Sequence, residues 1–271
     1  MIDRIFSMLS DCDTMGRPVL PRTTLFNEGW LLRVALDWFE QHPDVTHELG
    51  LPEGVRWYGE ALLPTRFKAS RRGDTRAESR THADAVVGYV GVGGEGIRDL
   101  HLESESTHFV VLEAKLRSGL SPGTRNAPEY DQAARTVACM AESIARCGPP
   151  TRPEQMSSLG FFVVAPEEQI RFRGMEEQLR RERILETVRR RVAQYEDAKY
   201  SRWLAEWFEP MLRQIRIGAV SWEGVAETIS RHDPVEGKSF NEFYQRCLQA
   251  NGLDERGRRV SSRRSADGGS R

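Results

Sequence analysis

The chain has 271 residues, 39% hydrophobic and 29% charged, with a formal net charge of −1. That apolar share excludes a wholly disordered polypeptide and suits one large domain or a domain with an appendage. No run of about 18 apolar residues occurs, which excludes a transmembrane helix of ordinary length. The charged segment Met1 to Asp13 predicts no secretory signal. The four cysteines (Cys12, Cys139, Cys147, Cys247) show no CxxC spacing, so neither a disulfide framework nor a thiolate zinc site is expected, and a reducing cytoplasm fits. Of the 39 basic residues only four are lysines: Lys68, Lys115, Lys199 and Lys238.

Taken in chain order, Thr24 to His42 predicts a helix, with Thr24 as its cap and Leu31, Val34, Ala35 and Trp38 on one face. Val55 to Phe67 and Ala83 to Val92 predict strands, joined by an Arg-rich loop. Gly91 to Gly96 forms a glycine-rich turn, and Phe109 to Leu116 predicts a third strand. After a Ser/Gly/Pro loop over Arg117 to Ala127, a second helix is expected. Asn126 is its cap, and Ala133, Val137, Met140, Ala141 and Ile144 form its apolar stripe. Leu159 to Ala165 is a continuous apolar run of the buried-strand kind. Beyond Pro166 the composition turns to Glu and Arg and predicts a helical extension over 167–253. Ser239 and Glu242 suggest a capping box there. A basic tail over 254–271, with six Arg against three acids, reads as disordered and suited to salt-sensitive nucleic-acid contacts. The fold class expected is α/β: a mixed central sheet flanked by helices over 1–166, plus the helical extension.

One strand carries chemistry. Glu113 and Lys115 stand two residues apart at the end of an apolar run, so a carboxylate and an ammonium share one strand face. Burying either without a partner costs several kcal/mol. Each other, water in a cleft, or a metal ion would meet that need. Asp84, near the start of the preceding strand, is placed to face Glu113 if a hairpin joins the two strands. Two carboxylates with the Ala114 carbonyl make an oxygen-rich site suited to Mg²⁺. Glu28 on the first helix, and Gln132 and Arg135 on the second, lie on polar faces whose ordinary role is solvation. His82, two residues before Asp84, is the histidine closest to this group.

Together, Asp84, the Glu113-Ala114-Lys115 tripeptide and the order of helix, strands, helix and strand resemble the PD-(D/E)XK nuclease superfamily, the restriction-endonuclease-like fold. The resemblance spans about Thr24 to Ala165. It implies that Asp84, Glu113 and the Ala114 carbonyl bind Mg²⁺ or Mn²⁺, that Lys115 positions water or phosphate, and that Glu28 and Gln132 complete the site. It further implies a nuclease acting on DNA, with RNA as the alternative, in restriction, repair or defence against foreign DNA. The proline that precedes the Asp in many members is Ala83 here. A catalytically silent nucleic-acid-binding or assembly subunit is the competing reading, and the helical extension is the expected surface for a homodimer or partner. The Gly91-x-Gly93-x-x-Gly96 pattern follows a strand as a dinucleotide fingerprint does. The residues after it do not continue a helical stripe, so a hairpin turn is expected instead.

Overall fold

The computed structural model describes residues 2–12, 19–69, 74, 76–78, 81–93, 99–124, 126–172 and 174–259. Helix α1 (Ile2–Asp11) precedes α2 (Glu28–Gln41), and strands β1 (Arg56–Leu63), β2 (Thr81–Gly88), β3 (Val90–Val92), β4 (Leu100–Leu102) and β5 (His108–Ala114) follow. Then come α3 (Gln132–Cys147), β6 (Ser158–Ala165), α4 (Glu167–Phe172), α5 (Met175–Gln178), α6 (Arg181–Ala193), α7 (Ala198–Trp203), α8 (Glu209–Gln214), β7 (Arg216–Ser221), α9 (Trp222–His232) and α10 (Pro234–Ala250). Five strands form one sheet in the order β1-β2-β5-β6-β7. The pairs β1/β2 and β2/β5 are antiparallel, and β5/β6 and β6/β7 are parallel. The protein is therefore α/β, with a mixed sheet flanked by helices.

Each face of the sheet builds its own core. Phe109 and Val111 of β5 and Phe161 and Val163 of β6 pack with α3, α6 and the helices around Trp203 and Phe208. On the other face, Val110, Leu112, Phe162 and Val164 pack with α2, α9 and α10. All seven residues of β5 are buried, as the centre of a sheet covered on both faces requires. The expected apolar stripe of α3 is buried as well.

Several boundaries differ from the sequence expectation. Helix α2 starts at Glu28 because Asn27 caps it, its side chain accepting from the Trp30 amide at 3.0 Å; Thr24 instead ends a short 3₁₀ turn. Helix α3 is capped by Asp131, not Asn126. The Asn126 amide is turned away to donate to the Ala77 carbonyl at 3.1 Å. Helix α10 begins at Pro234 under the Asp233 carboxylate, and Ser239 lies inside it, donating to the Val235 carbonyl. The segment from Asp254 to Arg258, expected to be disordered, is an ordered turn held by the Asp254 carboxylate. Residues 260–271 lie outside the described residues.

The extension expected over 167–253 is not purely helical. β7 pairs with β6 and completes the sheet, and α9 and α10 cover the face shared with α2. Trp203, Phe208 and Trp222 are buried in the chain's own two cores rather than offered to a partner. A short six-residue strand after a run of helices carries little periodic signal of its own. No helix among the described residues is long and apolar enough to cross a membrane.

The pleat reverses at one point near the chemistry. In β1, Trp57 packs on the α2 side and Tyr58 on the α3 side, yet Ala61 and Leu63 both face α3. Strict alternation from Tyr58 would send Ala61 to the opposite face. Glu60, between them, adopts a left-handed conformation with φ 57°, rare for a side chain with a Cβ, and so resets the alternation. Its cross-strand neighbours Gly59↔Ala85 and Ala61↔Ala83 bracket Asp84.

Because β7, α9 and α10 complete both sheet and core, a chain ending at Pro166 is expected not to fold alone. Far-UV circular dichroism with urea titration should show no cooperative transition for it, while the full chain unfolds cooperatively.

Candidate functional site

The site lies where β2, β5 and the start of α3 converge. The β2/β5 register, Ala85↔Leu112, carries Asp84 opposite Glu113 one step further along. The Asp84 carboxylate accepts the Ala114 amide at 2.7 Å, taking over the place of a ladder carbonyl. Burial first, and the neighbouring Glu113 charge second, push the Asp84 carboxyl up from its ordinary 3.8 to about 7, against the Ala114 N–H and the Lys115 ammonium, which act to lower it.

Glu113 is only 3% exposed. Its Oε1 accepts from both the Lys115 ammonium and the Gln132 side-chain amide. Its Oε2 is buried with no hydrogen-bond partner. Gln132 opens α3, and its own carbonyl accepts the Ser121 amide at 3.1 Å, so one side chain ties the loop after β5 to the Glu113 carboxylate. Lys115 is fixed through its backbone from two sides. Its amide donates to Val164 at 2.8 Å, and its carbonyl accepts the Trp222 indole N–H at 2.9 Å.

Asp84, Glu113 and Gln132 border a cleft of about 660 Å³, lined also by His82, Glu78, Asn126 and Arg135; Lys115 reaches it only through its ion pair with Glu113. Of the residues singled out from the sequence, Asp84, Glu113, Lys115 and Gln132 come together, with Arg135 and His82 on the same cleft. Glu28 does not line it. It stands at the start of α2, where its charge joins burial in raising the Cys247 thiol to about 12. Beside Glu113, a second and weaker carboxylate influence on Asp84 comes from Glu60, which ion-pairs with Arg33 at 3.1 Å. The sequence marked it only by a Gly59-Glu60 pair inside a strand, where both residues are poor strand formers.

Glu78, also on the cleft wall, is held from the C-terminal half. Arg191 of α6 meets it at 3.0 Å, both side chains being 2% exposed, with the guanidinium packed against Phe67, Tyr130 and Tyr195. The glycine-rich stretch leads from β3 to β4 rather than into a helix; residues 94–98 lie outside the described residues.

The donor set fits a hard divalent cation in kind: carboxylate oxygens, one of them buried and unpartnered, beside a second carboxylate destabilised by its neighbour. Among the described residues, no cluster of three or more His, Cys, Asp or Glu side chains is arranged to hold a metal ion, so backbone oxygen and water would complete any coordination. Compared with known proteins, the chain matches no family model, no curated protein and no solved structure.

The raised carboxyl makes a pH-dependent prediction. With a folded pKa near 7 and an ordinary value of 3.8, the folded state binds more protons than the unfolded state in between, so stability falls as pH rises through that window. Asp84→Asn removes the charge. Its melting temperature should exceed that of the wild type at pH 8, with the difference shrinking on acidification and vanishing near pH 4. Mg²⁺ or Mn²⁺ should raise the melting temperature of the wild type at pH 8 but not that of Asp84→Asn.

Proposed function

We propose that this protein is a metal-dependent nuclease of restriction-endonuclease-like architecture, hydrolysing phosphodiester bonds of DNA in restriction, repair or defence. The observation that carries the reading is the convergence of Asp84 of β2 with Glu113 and Lys115 at the end of the adjacent β5, the two carboxylates lining one cleft. Asp84, Glu113 and the Ala114 carbonyl would hold Mg²⁺ or Mn²⁺. When bound, such an ion acidifies water and screens the charge developing on the phosphoryl oxygens.

The side chains have separable tasks. Lys115, only 13% exposed and held by Glu113, puts a compact positive charge where a phosphate oxygen would lie. Gln132 fixes the orientation of Glu113 and so aims its free Oε2. Arg135, one helical turn from Gln132 and with its Nε unpartnered, adds a guanidinium to the same cleft wall. The mixed sheet between α2 and α3 agrees with the proposed architecture.

Replacing Lys115 separates a catalytic ammonium from a structural ion pair. Lys115→Ala and Lys115→Arg should both fold and bind DNA, and both should lose cleavage by at least about 100-fold, the usual scale for an electrostatic catalytic group. A planar guanidinium keeps the charge but not the point geometry. Plasmid, single-strand and RNA cleavage with and without Mg²⁺ or Mn²⁺ is the measurement. No metal-dependent cleavage of any substrate by the wild type would favour the silent-subunit reading. Cleavage retained in Lys115→Ala would remove this lysine from the mechanism.

A further inference from the structure

The cleft carries a cation that no carboxylate of the chain has claimed. Arg135 is the only Lys or Arg among the described residues that line it. Its Nε is buried without a hydrogen-bond partner, and among the described residues its guanidinium enters no ion pair. The neighbouring carboxylates are engaged elsewhere. Glu78 Oε1 accepts from Arg191 at 3.0 Å, and its Oε2 accepts from the Thr65 hydroxyl at 3.2 Å. Asp131 caps α3 through Oδ1 and meets Arg183 through Oδ2. Glu113 is held by Lys115 and Gln132, and Asp84 by the Ala114 amide.

Helix α3 sets the place of this guanidinium. Gln132 and Arg135 stand three residues apart on one helix face, about 5–6 Å between their Cβ atoms. Gln132 turns to Glu113, whereas the charge of Arg135 acts on Glu78. Charge is therefore divided along the cleft. Asp84 and Glu113 lie where the metal is proposed. Arg135 lies one helical turn on, beside a carboxylate that Arg191 already answers. Thr81, Thr124 and Asn126 add uncharged polar lining.

From this division we infer that Arg135 anchors a second phosphate subsite, which takes the phosphodiester adjoining the scissile one. The inference rests on the nuclease reading and adds a substrate contact to the same site. A guanidinium offers five donors and no acceptor, in a fork that matches phosphate oxygens. Lys115, Asp84 and Glu113 are assigned to the reacting phosphate, so Arg135 meets its neighbour. A duplex strand carries one phosphate per about 3.4 Å of axis, and an extended strand spaces them more widely. By pairing with Glu78, Arg191 leaves Arg135 available for that contact.

The test uses the full chain carrying Asp84→Asn, which blocks turnover, without added metal. Fluorescence anisotropy reads binding of a labelled single strand and of duplex DNA across a salt series. One phosphate contact contributes about 0.7 for a single strand, or about 0.9 for duplex, to the slope of log K against log salt. Adding Arg135→Ala should weaken binding at low salt and flatten the slope by that amount. Arg135→Lys should restore the slope, because the charge returns, but not the full affinity, because the paired donors do not. Thr124→Glu, at an exposed position on the cleft, should weaken binding by charge repulsion. Arg231→Ala on α9, exposed and paired with Glu227, should change nothing. Strands ending in phosphate and in hydroxyl should respond alike; a loss confined to the phosphorylated ends would overturn the internal phosphodiester. An unaltered slope in a folded Arg135→Ala variant, with metal-dependent cleavage present in the wild type, would overturn the subsite and leave the nuclease reading in place. A wild type that cleaves no nucleic acid would overturn both. Should Arg135→Ala fail to fold, unchanged affinity in Thr124→Glu would still overturn the subsite.

Discussion

The structure is organised around one buried carboxylate. Glu113 sits on the central strand of a sheet covered on both faces, in a position where an apolar residue would cost nothing to bury. A charge there requires compensation, and it comes from two directions: Lys115 two residues along the same strand, and Gln132 from the helix that packs over it. Each compensating group is itself anchored. Lys115 is fixed by Val164 and Trp222 through its backbone, and Gln132 by Ser121. The result is a polar network whose members cannot shift independently, with one carboxylate oxygen left over.

Second in importance is the way the two halves of the chain are joined. A composition change at Pro166 looks like a boundary in sequence, but the sheet ignores it. β7 extends the parallel half, α10 shares a core with α2, and Arg191 of α6 reaches back to grip Glu78 on the cleft wall. The helical half thus acts as scaffold for the site. Trp203, Phe208 and Trp222 find their partners inside the same molecule.

The sheet centre and the core of the site were legible in the sequence because they obey local rules. The unbroken apolar run of β5 announces a buried strand, and a charge pair at its end stands out against it. Asp84 could be paired with Glu113 once a hairpin between their strands was assumed, and the antiparallel register agrees. What escaped was set by tertiary contacts. Asn126 has the chemistry of a cap but is drawn to the Ala77 carbonyl, so Asp131 takes the role. Glu60 carries only the faint mark of the Gly59-Glu60 pair, and nothing in the sequence ties it to Asp84, since its placement depends on its own left-handed conformation within a strand. Glu28 occupies a plausible helical position, yet it does not line the cleft and its charge acts on Cys247 instead. β7 is too short to declare itself without its partner.

The Trp222 indole that caps the Lys115 carbonyl is separated from it by 107 residues. Synthesis at about 5–20 residues per second would put roughly 5–20 s between the emergence of these two groups. Throughout that interval the strand bearing Glu113 and Lys115 lacks β7 and its indole cap. The carboxylate network is therefore assembled in a fixed temporal order, strand first and closure last. A nascent chain carries the chemical groups of the site well before it carries the framework that holds them in register, so the site's geometry arises late, as a property of the joined halves.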